Sequence, residues 1–330
     1  MNDNLVSVKN VSVEFDYQEN FLSKKQKIQA VKNVSLDIKK KSFLGLVGES
    51  GSGKTTLGKA ILGANKISAG QVIFHDDNVD YDLGNINKKE LKEYRKKAQL
   101  IFQDPYAALS PRMTVRDIIA EPLEVMKITK SREETDERVR DIASKCRLNL
   151  EHLRRYPHAF SGGQRQRISI ARSLVSYPKF IVADESVAAL DVSIQADILN
   201  LLKSLQKDLD LTYLFISHDL SVVAHTCDEV AVMYLGHIVE QAPSRELFTN
   251  PRHPYTKALL SSIPSIDPDD QKKAIELKGE IPSAMNPPSG CVFRTRCPNP
   301  THECKEGHIE MGLIEVSPGH WVDQCCINCG

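Results

Sequence analysis

The sequence predicts an α/β fold that carries a helical insertion and ends in a loop-rich appendage. Short apolar runs alternate with helical patterns over residues 43–217, as in sheets covered by helices. A mainly helical stretch at about 104–176 interrupts that alternation. After residue 245 prolines become frequent, which keeps regular structure short. A chain of 330 residues is also longer than one core usually supports, so a second region is expected.

The individual elements follow from the spacing of apolar residues. Residues 5–16 and 28–38 alternate apolar with polar side chains, as half-buried strands do. The run FLGLV at 43–47 is typical of a buried strand, and the TTLGKAILGA that follows its glycine-rich turn is typical of a helix. The later elements are strands at 98–102, 179–184 and 212–217 and a helix at 193–209.

Charge and hydropathy exclude several classes of protein. Acidic and basic residues are balanced at 43 each, so no net field favours nucleic acid as a partner. The N-terminus MNDNLVSVKN lacks the basic start and apolar stretch of a secretory signal. No run approaches the about 18 apolar residues that span a bilayer. We therefore expect an intracellular protein with reduced thiols, which reaches a membrane only through a partner.

The segment GESGSGKTT at 48–56 predicts a phosphate site. It matches G-x-x-x-x-G-K-[ST] through Gly48, Gly53, Lys54 and Thr55, and it lies between a buried strand and a helix. Glycines let backbone amides converge on phosphate oxygens, the lysine reaches the β and γ phosphates, and the threonine offers its hydroxyl to Mg²⁺. The alternative, a glycine-rich turn that matches by chance, does not explain the strand and the helix. The expected nucleotide contacts are Gly48, Glu49, Ser50, Gly51, Ser52, Gly53, Lys54, Thr55 and Thr56.

A second part of this site is predicted at KFIVADES, residues 179–186. Its apolar residues place Asp184 at the C-terminal end of a strand, where open α/β sheets bind ligands. Asp184 is expected to hold Mg²⁺, directly or through water, and Glu185 to polarise an attacking water. A solvated acidic loop is the competing interpretation.

The motif FSGGQRQRISIARSL at 160–174 carries the family resemblance. A Ser-Gly-Gly turn that opens a helix is a second anion-binding N-terminus, and one nucleotide rarely needs two from one subunit. A plain helix cap is the alternative. The chain resembles the nucleotide-binding subunit of ABC transporters, a P-loop NTPase fold with an antiparallel β-subdomain and a helical subdomain. In that family two subunits pair head to tail, and each signature closes over the other's nucleotide. The signature residues are Ser161, Gly162, Gly163 and Gln164.

The resemblance implies roles for single residues elsewhere. Gln103 in LIFQDP matches the Q-loop glutamine, which contacts Mg²⁺ and water, and His218 in LFISHDL matches the switch histidine near the γ-phosphate. The catalytic residues that the resemblance implies are Gln103, Glu185 and His218. The residues that it implies at Mg²⁺ are Thr55, Gln103 and Asp184. The other two matches are the D-loop aspartate Asp191 and the adenine-stacking Phe15, for which Tyr17 or a plain core aromatic is an alternative.

The chain departs from the family pattern in three places. Ser186 replaces the usual proline after the catalytic glutamate, and Ala188 replaces a serine before Ala-Leu-Asp. KKKSF also replaces the usual Gly-Glu turn ahead of the phosphate-loop strand. None of these changes removes a proposed ligand, so function is expected to survive them.

The C-terminal segment narrows the resemblance. Residues 250–264 and 279–297, together with FQDPYAALSPRMTV and RYPHAFSGGQRQR, are similar to the oligopeptide/dipeptide importer ATPases, in particular to the second of their two ATPase types. The expected domains are an ABC ATPase domain at 1–245, with its helical subdomain at about 104–176, and a C-terminal extension at 246–330.

Six of the eight cysteines follow residue 290. Thiolates in a loop-rich segment of a reduced protein suit a tetrahedral metal or an iron–sulfur cluster. The spacing of Cys291, Cys297, Cys304 and Cys325 lacks the C-x₂-C pairs typical of structural zinc. The subfamily resemblance implies a [4Fe–4S] cluster, with zinc or unligated thiols as alternatives. The implied ligands are Cys291, Cys297, Cys304 and Cys325, while Cys326, Cys329 and His320 compete for the fourth position. Cys146 and Cys227 are expected in the core.

The resemblance thus implies an ATP hydrolase with ATP and Mg²⁺ that drives import of oligopeptides or dipeptides, a translocase. Its implied partners are a second ATPase subunit, in a heterodimer rather than a homodimer, two transmembrane permeases and, indirectly, an extracellular substrate-binding protein. Its implied place is the cytoplasmic face of the membrane, as a peripheral subunit. The alternatives are an importer ATPase for nickel or glutathione, a soluble ABC ATPase, or an ATPase that regulates a redox or metal-sensing tail.

Overall fold

The computed structural model describes residues 3–18, 26–77, 79–188, 190–263, 275–277, 279–306, 309 and 311–327. The strands are β1 Asn4–Tyr17, β2 Gln26–Lys39, β3 Phe43–Val47, β4 Ala69–His75, β5 Asp80–Asp82, β6 Ala98–Ile101, β7 Phe180–Asp184, β8 Thr212–Ser217, β9 Glu229–Tyr234, β10 His237–Pro243, β11 Leu313–Ser317 and β12 His320–Asp323. The helices are α1 Lys54–Ile61, α2 Lys88–Lys97, α3 Pro105–Ala108, α4 Val115–Val125, α5 Arg132–Lys145, α6 Gly162–Leu174, α7 Val192–Leu209, α8 Leu220–Thr226, α9 Ser244–Thr249, α10 Pro254–Ser261 and α11 His302–Glu306.

The chain forms two compact units, each built from several segments. The first unit comprises Met1–Val6, Ile38–Ser42 and Phe74–Phe215, and the second comprises Ser7–Asp37, Phe43–Ile73 and Ile216–Gly330. The expected α/β class is confirmed, because parallel strand pairs and helices occur in both. None of the helices in the described ranges is long and apolar enough to cross a membrane.

The first unit joins a parallel strand pair to a group of helices. Strand β7 is buried throughout and pairs in parallel with β6, in a register that places Ala98 opposite Phe180. Helix α4 packs against α5 and α6. These helices begin where side chains accept backbone hydrogen bonds, at Thr114, Ser131 and Ser161. Such caps satisfy amides that a helix leaves unpaired, so the sequence fixes where each helix starts.

The second unit is built on a hairpin that the sequence patterns did not predict. Strands β9 and β10 pair antiparallel through a two-residue turn in which Leu235 and Gly236 both have positive φ. Two consecutive residues of positive φ match the twist of antiparallel strands. On one side β9 pairs in parallel with β3, and on the other β10 pairs with β12 of the C-terminal segment, which pairs with β11. The neighbours follow the order β11, β12, β10, β9, β3.

A buried carboxylate on β10 binds the C-terminal segment. Glu240 is 0% exposed and accepts backbone hydrogen bonds from Arg252 and His253 at 2.7 and 2.9 Å. Nε2 of His320, on β12, lies 2.7 Å from the same carboxylate and is also fully buried. A buried carboxylate is stable only when its oxygens are hydrogen-bonded, so Glu240 ties two distant parts of the segment to β10.

Most elements that the patterns predict are present. Strands β1, β2, β3, β7 and β8 and helix α7 agree with the predicted bounds to within two residues, and β6 ends one residue earlier. Cys146 and Cys227 are buried, as predicted. The C-terminal segment has only short elements among its described residues, as its prolines predict.

Replacing Glu240 by alanine tests the docking of the C-terminal segment. We expect Glu240→Ala to lower the free energy of unfolding by about 3 to 5 kcal/mol, because three hydrogen-bonded groups, two of them buried, lose their partner. Urea unfolding followed by circular dichroism measures it. Glu315→Ala is the control, since exposed Glu315 accepts from the Gly319 amide of its own turn. Its cost is expected to stay near about 1 kcal/mol. Equal losses in the two variants would contradict the role of Glu240.

Candidate functional site

The loop between β3 and α1 has a conformation that only glycine permits at two positions. Gly48 has φ +150° and Gly53 has φ +104°. A Cβ at Gly48 would lie 2.1 Å from the carbonyl oxygen of Met233, and a Cβ at Gly53 would lie 2.3 Å from that of Ala30. Both neighbours are backbone and cannot move aside. The first and last glycines of the motif therefore allow the loop to lie against strands β2 and β9.

The lysine of the motif is buried at the start of α1. Lys54 is 5% exposed, and its ammonium donates to the carbonyl oxygens of Gly48 and Glu49 at 2.7 and 2.8 Å. Thr55 and Thr56 follow in the first turn and are partly exposed. A helix start with an adjacent ammonium can hold a triphosphate, since both contribute positive charge. Ser50 and Gly51 are exposed on this loop, and Ser52 is buried.

Two residues that the sequence patterns did not single out contact this loop. The Tyr255 hydroxyl accepts from the Glu49 amide at 2.8 Å. The Arg296 guanidinium donates to both oxygens of the Glu49 carboxylate, at 2.7 and 3.1 Å. Both residues belong to the C-terminal segment. Glu49 is 206 positions from Tyr255 and 247 positions from Arg296, so these contacts leave no local pattern in the sequence. The one available signal for Arg296 is its place inside the cysteine-rich run CVFRTRC.

The two acids after β7 lie as the sequence predicts, and one contacts the predicted glutamine. Asp184 ends the buried strand and is 8% exposed. Glu185 follows with φ +46°, a conformation that non-glycine residues adopt mainly under constraint. The side-chain amide of Gln103 donates to Glu185 Oε2 at 2.7 Å. This arrangement holds a carboxylate where it could accept a proton from water.

The family's proline position has an unusual environment in this chain. Ser186 is 2% exposed, and its hydroxyl has no hydrogen-bond partner among the described residues. The backbone still turns there, because the Ala188 amide donates to the Glu185 carbonyl at 3.1 Å. The turn that aims Glu185 thus forms without the proline.

The Ser-Gly-Gly-Gln turn is a helix start with a reciprocal cap. The Ser161 hydroxyl accepts from the Gln164 amide, and the Gln164 side chain accepts from the Ser161 amide at 3.1 Å. The two glycines have different surroundings. A Cβ at Gly163 would lie 2.6 Å from a methyl of Ile194 on α7, whereas one at Gly162 would meet ordinary contacts at 3.7 and 3.9 Å. Packing of α6 against α7 therefore requires only the second glycine.

The remaining predicted residues lie at the surface. His218 is exposed directly after β8, and Phe15 and Tyr17 are 42% and 40% exposed on β1, so neither aromatic is a core residue. Asp191 caps α7 by accepting from the Ile194 amide at 3.0 Å and from the Ser193 hydroxyl at 2.9 Å. The hydrogen bond from the Ile194 amide, followed by that from Ser193, keeps the Asp191 pKa below its ordinary value.

Among the described cysteines of the C-terminal segment, Cys291 and Cys325 are in contact. The Cys325 thiol lies 3.3 Å from the Cys291 sulfur, and the hydrogen bond between them, together with burial, raises the Cys291 pKa. Cys304 is buried beside the Thr301 hydroxyl, and Cys297 is partly exposed. Within the described part of the chain, no three histidine, cysteine or acidic side chains form a metal-binding group. Of the competing ligands, His320 is hydrogen-bonded to Glu240, while Cys329 and the Cys326 side chain lie outside the described residues.

Two family models match the chain. That of the ABC transporters matches residues 31–188, and that of the oligopeptide/dipeptide transporter C-terminal region matches residues 239–304. The first range contains the phosphate loop, the signature turn and both acids. The second contains Tyr255, Arg296 and three of the four predicted cysteine ligands.

Two named proteins and one solved structure are also similar to this chain. It is 46% identical to the oligopeptide transport ATP-binding protein OppF of Bacillus subtilis, over 98% of this chain and 96% of that protein. It is 48% identical to AppF of the same organism, also an oligopeptide transport ATP-binding protein, over 89% and 88%. Among solved structures, the ATP-binding cassette MJ0796, described as dimeric and bound to ADP and Pi, matches with a TM-score of 0.62 and 30% identity. That match covers 73% of this chain and 99% of MJ0796.

The two glycines of the signature turn give a matched test of the packing. We expect Gly163→Ala to lower the free energy of unfolding by about 1 to 3 kcal/mol, because its Cβ would overlap the stiff Ile194 side chain. Gly162→Ala should leave stability unchanged or slightly raised, since its Cβ has room and alanine favours helix. Chemical denaturation of both variants measures the difference. If Gly163→Ala were as stable as Gly162→Ala, the assigned packing of α6 on α7 would be wrong.

Proposed function

The chain belongs to the ABC transporter family, and from that membership we propose how its residues bind ATP, hydrolyse it and drive peptide import. It is the ATP-hydrolysing subunit of an oligopeptide or dipeptide ABC importer. We propose that residues 1–245 form the ATPase domain, with a helical subdomain at about 104–176, and that 246–330 form its extension.

The phosphate loop is the proposed triphosphate site. The α1 N-terminus and the Lys54 ammonium attract the β and γ phosphates, and the backbone of residues 48–53 follows the phosphate chain. Thr55 contributes its hydroxyl to Mg²⁺, and Asp184 and Gln103 contribute side-chain oxygens. An aromatic ring on β1, Phe15 in preference to Tyr17, stacks on adenine, and the exposure of both rings leaves them accessible to a ligand.

Hydrolysis is proposed to depend on Glu185, and the Gln103–Glu185 hydrogen bond is the observation that carries this proposal. It brings together two residues 82 positions apart that the family resemblance independently implies in catalysis. Glu185 orients the attacking water and accepts its proton, and Gln103 fixes the carboxylate. His218 is proposed to contact the γ-phosphate.

The signature turn is proposed to act on a partner's nucleotide. Gly162 is not required by packing within its own unit, so its missing side chain leaves room for a ligand to approach the α6 N-terminus. Ser161, Gly163 and Gln164 complete this turn, and Asp191 lies at the proposed subunit interface. Contacts to ATP from both subunits exist only in the closed pair, so ATP binding favours closure and hydrolysis releases it.

ATPases of this family work with membrane permease subunits. We propose that this chain pairs with a second ATPase type under two permeases, at the cytoplasmic face of the membrane. The helical subdomain is the proposed contact with the permeases, because Gln103 immediately precedes it in the chain. An extracellular peptide-binding protein would deliver the solute, and nucleic acid has no part.

For the cysteines, we propose a [4Fe–4S] cluster held by Cys291, Cys297, Cys304 and Cys325, with zinc as the alternative metal. The donor chemistry fits, because three of these thiols are buried and two are in contact. The absence of a three-ligand group in the described ranges means that the side chains would have to converge further to hold it. A bound cluster would cross-link the short elements of the extension.

Glu185→Gln tests the assignment of the catalytic base. We expect ATP affinity to be retained and steady-state hydrolysis to fall by about 10² to 10⁴-fold, since the amide cannot accept the proton. Phosphate release and nucleotide titration measure the two quantities. Glu93→Gln, at an exposed acid on α2 that pairs with Lys96, is the control and should hydrolyse normally. Turnover near that of the unmodified chain would remove Glu185 from this role.

Lys54→Ala tests the phosphate site. We expect it to weaken ATP binding, and an unchanged affinity for ATP would refute the assignment.

Metal analysis of protein purified without oxygen tests the cluster. We expect about four irons per chain and a visible absorption that fades on reduction. Cys297→Ser should lose the iron, whereas Cys227→Ser, at a core position, should keep it. One zinc per chain would favour the alternative metal, and protein with neither metal would refute the site.

A further inference from the structure

Arg296 forms a two-pronged ion pair with the phosphate loop. Both terminal nitrogens of its guanidinium donate to the two oxygens of Glu49, at 2.7 and 3.1 Å. The Arg296 side chain is 7% exposed and that of Glu49 is 25% exposed, so the pair is largely shielded from water. Bidentate, charge-assisted bonds of this kind fix orientation as well as position.

Tyr255 holds the same residue through its backbone. Its hydroxyl accepts from the Glu49 amide at 2.8 Å. The Tyr255 ring is fully buried against Tyr234 and Phe293, with centroids 4.7 and 5.5 Å away. Since buried neighbours fix this ring, its hydroxyl is a rigid acceptor.

The short turn that carries Arg296 also carries the first cysteines. The Arg296 and Cys297 amides both donate to the Phe293 carbonyl at 2.9 Å, and the Arg294 amide donates to the Cys291 carbonyl at 3.1 Å. Phe293 is 1% exposed and inserts into the aromatic cluster. The fold of this turn therefore determines where the guanidinium points.

Three groups of Glu49 thus form hydrogen bonds with other residues. Its carboxylate is held by Arg296, its amide by Tyr255, and its carbonyl accepts from Lys54, the lysine expected to reach the phosphates. An unpaired carboxylate at this position would repel a triphosphate and would leave the loop peptide without a fixed orientation.

We propose that the C-terminal extension sets the nucleotide affinity of the chain, with Arg296 and Tyr255 as positioning residues that neutralise and orient Glu49 in the phosphate loop. The inference rests on the proposed function of that loop. It assigns the extension a role in the ATP site in addition to any role in subunit pairing.

Arg296→Met in the full chain tests the proposal, with the dissociation constant for ATP and Mg²⁺ measured by calorimetry. We expect about tenfold weaker binding, equivalent to about 1.4 kcal/mol. Arg296→Lys should lose less affinity for ATP, because lysine keeps the positive charge but cannot donate two parallel hydrogen bonds to the carboxylate. Arg294→Met is the matched control, two residues away, where the side chain donates to Ser289 within its own segment. It should bind ATP like the unmodified chain.

A second substitution separates positioning from folding. Adding Glu49→Gln to Arg296→Met removes the unpaired carboxylate, so affinity should recover to within about twofold of the unmodified chain. A residue that only stabilised the fold would lower the melting temperature in both variants without this recovery. If Arg296→Met failed to fold, Tyr255→Phe would decide the matter by the same titration. It removes the acceptor of the Glu49 amide and keeps the buried ring, so weaker ATP binding is expected.

Two outcomes would overturn the proposal. In one, Arg296→Met and Tyr255→Phe bind ATP as tightly as the unmodified chain while Lys54→Ala loses binding, so the proposed nucleotide site stands and the role of the extension fails. In the other, Lys54→Ala binds like the unmodified chain, so the phosphate site fails and this inference fails with it.

Discussion

The close approach of the phosphate loop to two strands is the constraint on which the rest of the site depends. Side chains at Gly48 and Gly53 would overlap backbone carbonyls of β9 and β2, so the loop can take this path only with glycine at both ends. The hairpin turn adds a direct bond, from the Gly236 amide to the Ser52 carbonyl at 2.9 Å. With the loop fixed, α1 begins at Lys54, and the Lys54 ammonium donates hydrogen bonds to the loop carbonyls.

The C-terminal extension is an integral part of the second unit. Two carboxylates, buried Glu240 on β10 and partly exposed Glu49 in the loop, take their partners from it. Each would be costly to leave unpaired, so the core and the extension stabilise each other. In the first unit the Gln103–Glu185 pair similarly joins two loops that each follow a strand. Both cases rest on charged or polar contacts between residues far apart in the chain.

Local patterns in the sequence predicted much of the fold and of the site. The alternation in β1 and β2, the apolar run of β3 and the motif at 48–56 each have a short-range signature. The hairpin β9–β10 was missed because VAVMYLGHIV is apolar on both faces and shows no period of two. Arg296 and Tyr255 were missed for another reason: an ion pair or hydrogen bond across more than 200 residues has no periodicity to detect.

The most direct test of the account is hydrogen exchange of the loop amides in the unmodified chain. The backbone of residues 48–54 and the start of α1 are proposed to surround a triphosphate. Saturating ATP with Mg²⁺ should therefore slow the exchange of amides at residues 51–56, while adenosine alone should leave them unchanged. If saturating ATP slowed exchange elsewhere and left these amides unaffected, the assignment of the loop as the triphosphate site would be contradicted.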